Sequence, residues 1–274
     1  PASAPTYAGF RLPARTQAFA QTSFLTAQNA QVGSSATITT ILASGHLTYS
    51  QTSLAHDPAS GRSLLVWTQD DPNGPLGGSR EIFYSLWDGA DWSLPQAITS
   101  DDVHDLAPKV SWLSSDKAIV VWTRLRQTLE PEESIVDGMD KMEIAYAIYD
   151  ANTNAWSDIQ SLTDDDGFDH NPAIGRNPAS GQALVAWVSK DDDGFAIETA
   201  LFDADGQILR QEQMAQDSVG VGQLAVALSD DRAAIAFTRF VKHSENTPIG
   251  SQLFTTVWDA ATNTWSNPEA QHVW

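Results

Sequence analysis

One phrase of twelve residues occurs twice, with small changes, in this chain. It reads HDPASGRSLLVW where it ends at Trp67, and RNPASGQALVAW where it ends at Trp187. Two shorter relatives, WLSSDKAIVVW and ALSDDRAAIAF, end at Trp122 and Phe237. Each version has a polar turn, then small and β-branched residues, then an aromatic residue. A phrase that returns four times predicts a repeat architecture, in which each repeat is one supersecondary unit.

A second phrase follows each copy of the first after a variable loop. Its common form is an alternating strand, an aromatic residue with Asp, a turn with Gly or Asn, and usually Trp-Ser. Apolar and polar residues alternate with a period of two, which predicts strands rather than helices. The run AIVVW is apolar throughout, as in a strand that is covered on both faces. The four copies are EIFYSLWDGADWS (81–93), EIAYAIYDANTNAWS (143–157), AIETALFDADGQIL (196–209) and QLFTTVWDAATNTWS (252–266).

Each repeat reads as four antiparallel strands, A to D, which is typical of one blade of a β-propeller. The sequence therefore predicts an all-β propeller of four-stranded antiparallel blades in residues 35–274, with each closing aromatic residue wedged against a neighbouring blade. A β-sandwich, or a pair of them, is the competing fold, but it does not require the whole unit to return at a nearly constant period. The predicted blades are 50–106, 107–170, 171–217 and 218–270.

The N-terminal region fits this template poorly. SATITTILASGHLTYS (35–50) reads as strand and could supply part of a fifth blade, so four blades and four blades with a partial fifth both stay open. Residues 1–34 read as an extension or linker. The chain begins with Pro rather than Met, which favours one module of a larger protein, secreted or on the surface of a bacterial cell.

The composition argues against several classes of partner. Lys and Arg number 15 against 35 Asp and Glu, which gives a net charge of −20 and a pI of about 4.3. Such a chain repels the phosphate backbone of nucleic acids, and it repels anionic lipid. No apolar run reaches the ~20 residues that a membrane-spanning helix needs, so membrane insertion is not expected. Because the chain has no cysteine, neither a disulfide nor a thiolate metal site can stabilise it.

The strand order predicts which face binds a partner. In an antiparallel blade the B–C loops and D–A connections emerge on one face, and the tight A–B and C–D turns on the other. Variable loops on a rigid scaffold are where binding usually occurs, so the B–C and D–A face is the predicted working surface. Its B–C loops are 69–80, 125–141 and 240–251, and its D–A connections are 100–108 and 163–172.

The D–A connection at 163–172 contains an acid pattern that suits a hard cation. Asp164, Asp166 and Asp169 surround Gly167 in the pattern D-x-D-G-x-D, which combines oxygen ligands with a glycine turn. The pattern lacks the Glu at position 12 that completes an EF-hand loop. Calcium is therefore the one cofactor that the sequence suggests. The alternative is that these Asp side chains cap turns through the backbone.

The repeats resemble those of the broad group of sialidase-like and bacterial repeat-type propellers. The resemblance covers residues 50–270 and rests on four-strand blades that end in Trp-Asp, a turn and Trp-Ser. For sialidases it implies three arginines that bind a carboxylate, an acid, and a Tyr nucleophile. Arg124 and Arg239 occupy matching positions just after strand B. The nearest string to the sialidase Asp-box, Ser114-Ser115-Asp116, lacks its Gly and lies at an A–B turn.

Three functions are compatible with these features. The preferred interpretation is a non-catalytic interaction or adhesion scaffold with a protein partner on the loop face, because the sequence shows no catalytic constellation. The first alternative is a propeller lectin, in which aromatic residues at the C–D turns stack on a glycan. The second is a glycoside-active enzyme that uses a pair of carboxylates. The candidate ligand-binding residues are Trp87, Trp92, Tyr149, Trp156, Trp258, Trp265, Arg124 and Arg239.

Overall fold

The computed structural model of the chain describes residues 51–70, 80–128, 138–165, 167–217, 220–241 and 250–271. The predicted extension at 1–34 and the predicted strand at 35–50 lie outside these residues. The described residues form four antiparallel sheets. In each sheet, each of the first three strands pairs with the strand that follows it along the chain. We name these sheets blades I to IV.

Each blade has three long strands and one or two short outer ones, except blade III, which has four long strands. Blade I contains β1 (Thr52–Asp57), β2 (Arg62–Asp70), β3 (Arg80–Trp87) and β4 (Gln96–Ala97). Blade II contains β5 (Asp105–Trp112), β6 (Lys117–Leu125), β7 (Met142–Asp150), β8 (Ala155–Trp156) and β9 (Gln160–Ser161). Blade III contains β10 (His170–Arg176), β11 (Ala183–Asp191), β12 (Gly194–Phe202) and β13 (Ile208–Asp217). Blade IV contains β14 (Val221–Leu228), β15 (Arg232–Val241), β16 (Gly250–Asp259), β17 (Thr264–Trp265) and β18 (Glu269–Ala270).

The first strand of each blade faces the centre of the fold. β1 packs beside β5, β5 beside β10, and β10 beside β14. Within the described ranges, no comparable packing joins β14 to β1. Separate four-stranded antiparallel sheets that meet through their inner strands are the blades of a β-propeller, so the predicted fold is confirmed. In the described part of the chain, no helix is long and apolar enough to cross a membrane.

All four aromatic residues that close the repeated phrase are buried, and three of them occupy wedge positions between described blades. Trp67, Trp122, Trp187 and Phe237 are at most 4% exposed. Trp122 belongs to the apolar cluster between blades I and II, Trp187 to that between II and III, and Phe237 to that between III and IV. Burial of a large apolar side chain contributes about 1.5–3 kcal/mol. The repeated phrase therefore returns because each junction needs the same wedge.

The two PASG turns place glycine where φ is positive. Gly61 has a φ of 70° and Gly181 a φ of 72°. A Cβ at Gly181 would lie 2.4 Å from the carbonyl oxygen of Leu113 in blade II, whereas one at Gly61 would meet nothing within 4 Å. The second turn therefore also determines how closely blades II and III approach each other.

Candidate active site

Two D–A connections have the same sequence pattern and the same anchor. Both read T-x-D-x-x-x-D-x-x-P, and the last Asp of each accepts a hydrogen bond from the wedge tryptophan of the following blade. The indole Nε1 of Trp122 donates to Asp105 at 2.5 Å, and that of Trp187 donates to Asp169 at 3.2 Å. Both carboxylates are fully buried. Each connection therefore brings a buried acid to the junction between two blades. The two stretches are 99–108 and 163–172.

At the junction of blades I and II, an arginine balances the acids. Arg124 Nη1 lies 2.7 Å from Asp105 Oδ2, and Arg124 Nη2 lies 2.5 Å from Asp101 Oδ2. Glu81, at the start of strand C, completes the group of acids. Burial raises the pKa of Asp105 to about 7, even though the Arg124 guanidinium beside it acts in the opposite direction.

The junction of blades II and III has the equivalent acids without the equivalent arginine. Glu143, Asp165 and Asp169 each place one carboxylate oxygen within 4.8 Å of the others. Ser189 follows the wedge tryptophan of blade III by two residues, as Arg124 follows that of blade II. A buried hydroxyl group therefore stands where the first junction has a guanidinium group.

A fourth acid, Glu198, completes this junction. Glu198 lies opposite Trp187 in the register of β11 and β12. The residues opposite the corresponding wedge in blades I, II and IV are Phe83, Ala145 and Phe254. An acid thus replaces an apolar residue at one blade only. We call Glu143, Asp165, Asp169 and Glu198 the acid cluster.

The environment of Glu143 favours its protonated form. Burial raises the pKa of Glu143 to about 7, and the two aspartates of the cluster add to this effect. The hydroxyl of Thr163, which donates to Glu143 Oε2 at 2.5 Å, acts against it. Arg126 acts in the same direction as Thr163, with its Nη2 2.5 Å from Glu143 Oε1. The positive charge of Arg126 is therefore not enough to hold the pKa of Glu143 at its ordinary value.

Half-buried Glu198 and buried Asp169 show the same effect. Burial raises the pKa of Glu198 to about 7, with the charges of Asp169, Asp165 and Asp191 adding to it. Burial also raises the pKa of Asp169, although it accepts hydrogen bonds from neighbouring groups. Carboxyl groups with strongly raised pKa values are characteristic of acid–base sites.

A cluster of this kind can transfer protons or hold a cation. The three oxygens of Glu143, Asp165 and Asp169 are close enough together for one divalent ion. Of the calcium ligands predicted from the sequence, only Asp169 belongs to the cluster. The side chain of Asp164 is 87% exposed, and Asp166 lies outside the described residues. Calcium stays a prediction.

Neither Glu143 nor Glu198 is among the site residues predicted from the sequence. Glu143 had a visible signal, since it opens the phrase EIAYAIY as Glu81 opens EIFYSLW. Glu198 had none, because its position opposite a wedge tryptophan depends on the strand register.

The predicted aromatic pairs lie at the C–D turns, the opposite end of the blades from the acid cluster. The rings of Trp87 and Trp92 are 5.7 Å apart. Tyr149 is 1% exposed and packs against Trp156 and Tyr84 in the core between blades I and II. The third pair, Trp258 and Trp265, lines a cavity between blades III and IV. Each pair is brought together, but the three pairs belong to different blades.

The two predicted arginines are engaged in different contacts. Arg124 bridges Asp101 and Asp105, as described above. The guanidinium carbon of Arg239 lies 5.3 Å from the ring centre of Phe254, in a cation–π contact within blade IV. Arg124 thus belongs to blade II and Arg239 to blade IV.

No protein-family model matches the chain, and no curated protein matches its sequence. Solved structures do match in fold. The α-L-arabinofuranosidase of family GH93 from Fusarium graminearum, in complex with arabinobiose, aligns with a TM-score of 0.56 and 9% identity, over 81% of this chain and 65% of that one. Trypanosoma rangeli sialidase in complex with sialic acid aligns with a TM-score of 0.52 and 11% identity, over 89% of this chain and 40% of that one. The chain thus spans less than half the length of the sialidase, and at these identities the likeness shows a shared propeller fold.

The prediction of a non-catalytic scaffold is wrong. It depended on the lack of a catalytic constellation in the sequence, and the sheet register assembles four acids at one junction. The structures similar in fold include a sialidase and an arabinofuranosidase. These observations contradict the scaffold prediction, and the sialidase-like propeller resemblance is confirmed at the level of the fold.

Proposed function

We propose that this chain hydrolyses glycosidic bonds at the junction of blades II and III, with Glu198 as the proton donor. Glycoside hydrolysis needs one carboxyl group that is protonated near neutral pH and a second that is ionised. The raised pKa of Glu198 meets the first requirement. Asp165, an exposed acid whose charge contributes to that shift, is the candidate for the second role.

The remaining acids position this pair. The carboxylate of Asp165 accepts the backbone N–H of Gly167 at 2.6 Å, which orients it within the turn. Asp169 is fully buried and hydrogen-bonded to Trp187, so it acts on Glu198 through its charge rather than by contact with substrate. Glu143 is held on the blade II side of the cluster by Thr163 and Arg126.

The observation that carries the proposal is the exchange of two side chains between equivalent junctions. The junction of blades I and II has Arg124 and Ala145 where the next junction has Ser189 and Glu198. The first exchange removes a neutralising charge, and the second adds an acid at an apolar position. A purely structural anchor needs neither change, because the Asp–Trp hydrogen bond is present at both junctions.

The proposed substrate class is a glycan. The similar structures were solved with arabinobiose and sialic acid bound, and this supports a glycan as the partner. A secreted or surface location is part of the proposal, since glycan substrates of this kind are common outside cells. The identity of the sugar is left to the experiment.

The test is hydrolysis of a panel of aryl glycosides and polysaccharides by the full chain and by Glu198→Gln. We expect Glu198→Gln to lower kcat by about 10²–10⁴-fold, as for the loss of a general acid, and wild-type kcat to fall as the pH rises through about 7. Asp102→Asn, an exposed acid in the equivalent connection of blades I and II, is the matched control and should retain activity. Activity that survives in Glu198→Gln would contradict its role, and no hydrolysis of any substrate by the wild type would contradict the function.

A further inference from the structure

A cavity of about 180 Å³ lies between blades III and IV. We call it the III/IV cavity. Trp258 and Trp265 form its aromatic wall, and Leu228, Arg210 and Asp230 also line it. These residues belong to the A–B and C–D turns or the strand ends beside them. The cavity is therefore at the opposite end of the blades from the acid cluster.

The cavity exists because this junction lacks rings that another junction has. Between blades I and II, Tyr84 and Trp112 pack against Tyr149. In the strand register, Thr199 takes the place of Tyr84 and Leu228 takes the place of Trp112. Two aromatic side chains are thus replaced by smaller ones, while the wall residue corresponding to Tyr149 is still aromatic.

The polar groups around the cavity are of the kind that bind a sugar. Arg210 brings cationic N–H donors to the lining of the cavity, and Asp230 brings a carboxylate acceptor. The guanidinium group of Arg210 lies 5.1 Å from the Trp258 ring centre. Asp230 is fixed at the rim, since its Oδ1 accepts a hydrogen bond from Asn177 Nδ2 at 2.6 Å.

The size of the cavity limits the ligand to something small. Pockets for drug-sized ligands begin at about 300 Å³, so the III/IV cavity accommodates a single sugar ring rather than a disaccharide. An aromatic wall suits the apolar face of such a ring, and an N–H donor with a carboxylate suits its hydroxyl groups. We propose that the III/IV cavity is a second, non-catalytic site that binds one neutral monosaccharide unit of a glycan, with the Trp258 ring as its aromatic wall and Asp230 as its polar contact.

The test is saturation-transfer-difference NMR on the full chain, with L-arabinose, D-galactose and D-glucose as separate probes. Leu228→Trp restores the ring that fills the junction of blades I and II, and we expect it to abolish the signal of a sugar that the wild type binds. Leu253→Trp is the matched control, because Leu253 is 41% exposed and does not line the cavity. It should leave the signal unchanged.

A second variant tests the same site if Leu228→Trp does not fold. Asp230→Asn keeps an acceptor for Asn177 but loses the charge, and we expect it to weaken sugar binding at least threefold. A signal that persists in both variants, or no signal from any of the three sugars, would overturn the proposal.

The outcome of this binding test can be distinguished from the outcome of the hydrolysis test. Glu198→Gln should lower the rate of hydrolysis by about 10²–10⁴-fold and leave this sugar signal intact. Leu228→Trp should abolish the signal and leave hydrolysis of a small aryl glycoside intact. Sugar binding without any hydrolysis would refute the enzyme alone.

Discussion

Glu198 lies opposite Trp187 across the β11–β12 pair, at the position where blade I has Phe83 opposite Trp67. Phe83 stacks on its tryptophan with ring centres 6.2 Å apart. In blade III the same place holds a carboxyl group whose pKa burial raises to about 7. An acid therefore occupies the position at which blade I has a packed aromatic side chain. This exchange distinguishes the candidate catalytic junction from the other junctions.

Ser189→Arg should convert the acid cluster into a copy of the neutralised junction. A guanidinium group beside Asp165 and Asp169 favours ionised carboxylates, so we expect the pKa of Glu198 to fall from about 7 and hydrolysis near pH 7 to drop by tenfold or more. The measurement is side-chain carboxyl NMR across a pH titration, with activity recorded in parallel. The reciprocal variant, Arg124→Ser, should raise the pKa of Asp105 above about 7 and leave hydrolysis unchanged. An unaltered Glu198 titration in Ser189→Arg would show that the arginine is not the controlling difference.

The stability of the wild type should fall as the pH rises from about 4.5 to about 7. Glu198 has a pKa of about 7 in the folded chain against an ordinary value of 4.5, so in this window the folded state holds a proton that the unfolded state has released. Proton release on unfolding lowers the free energy of unfolding as the pH increases. The effect levels off above pH 7.

Glu198→Gln should remove part of this slope. Because Glu198 is partly exposed, solvent screening reduces its share to about 1 kcal/mol. Urea denaturation at several pH values between 4 and 8 measures the free energy of unfolding, with Asp102→Asn expected to keep the wild-type slope. Identical slopes for the wild type and Glu198→Gln would disprove the raised pKa.

Removal of divalent cations should not affect hydrolysis. The proposed reaction uses protons on the chain's own carboxyl groups, so activity after EDTA treatment is expected to equal that in calcium. Thermal unfolding with and without calcium provides the second measurement. A calcium-dependent rise in Tm that Asp165→Asn abolishes would instead support a cation at the acid cluster.

Gly181→Ala should destabilise the fold more than Gly61→Ala. Both positions have positive φ, where a Cβ costs about 1–2 kcal/mol. At Gly181 the added atom also meets the Leu113 carbonyl oxygen at 2.4 Å, so blades II and III must separate. Chemical denaturation of the two variants gives the difference directly, and equal losses would indicate that this approach is not limiting.

Much of the fold could be predicted because its determinants are local. The wedge aromatics, the two-residue period and the PASG turns are all visible in a short stretch of sequence, and the structure places Trp67, Trp122 and Trp187 in buried positions as expected. The contrast between Arg124 and Ser189 is visible too, since both follow a wedge tryptophan by two residues.

The site could not be predicted to the same extent because it depends on relations between strands. Glu198 becomes significant only through its pairing with Trp187 and its proximity to Asp165 and Asp169 in the connection between blades II and III. The sequence contains 35 Asp and Glu residues, and no local pattern distinguishes Glu198 from the others. The preference for a scaffold followed from that gap.

The shared Asp–Trp anchor has a consequence for how such a chain can change. Trp122 donates a hydrogen bond to Asp105 as Trp187 donates one to Asp169. Because this anchor is present at both junctions, the neighbouring side chains of either junction can change while the anchor stays in place. Arg124→Ser together with Ala145→Glu would install the acid cluster one blade earlier. Repetition thus gives this chain several equivalent positions, so that one junction can gain a reaction while the other junctions keep the fold stable.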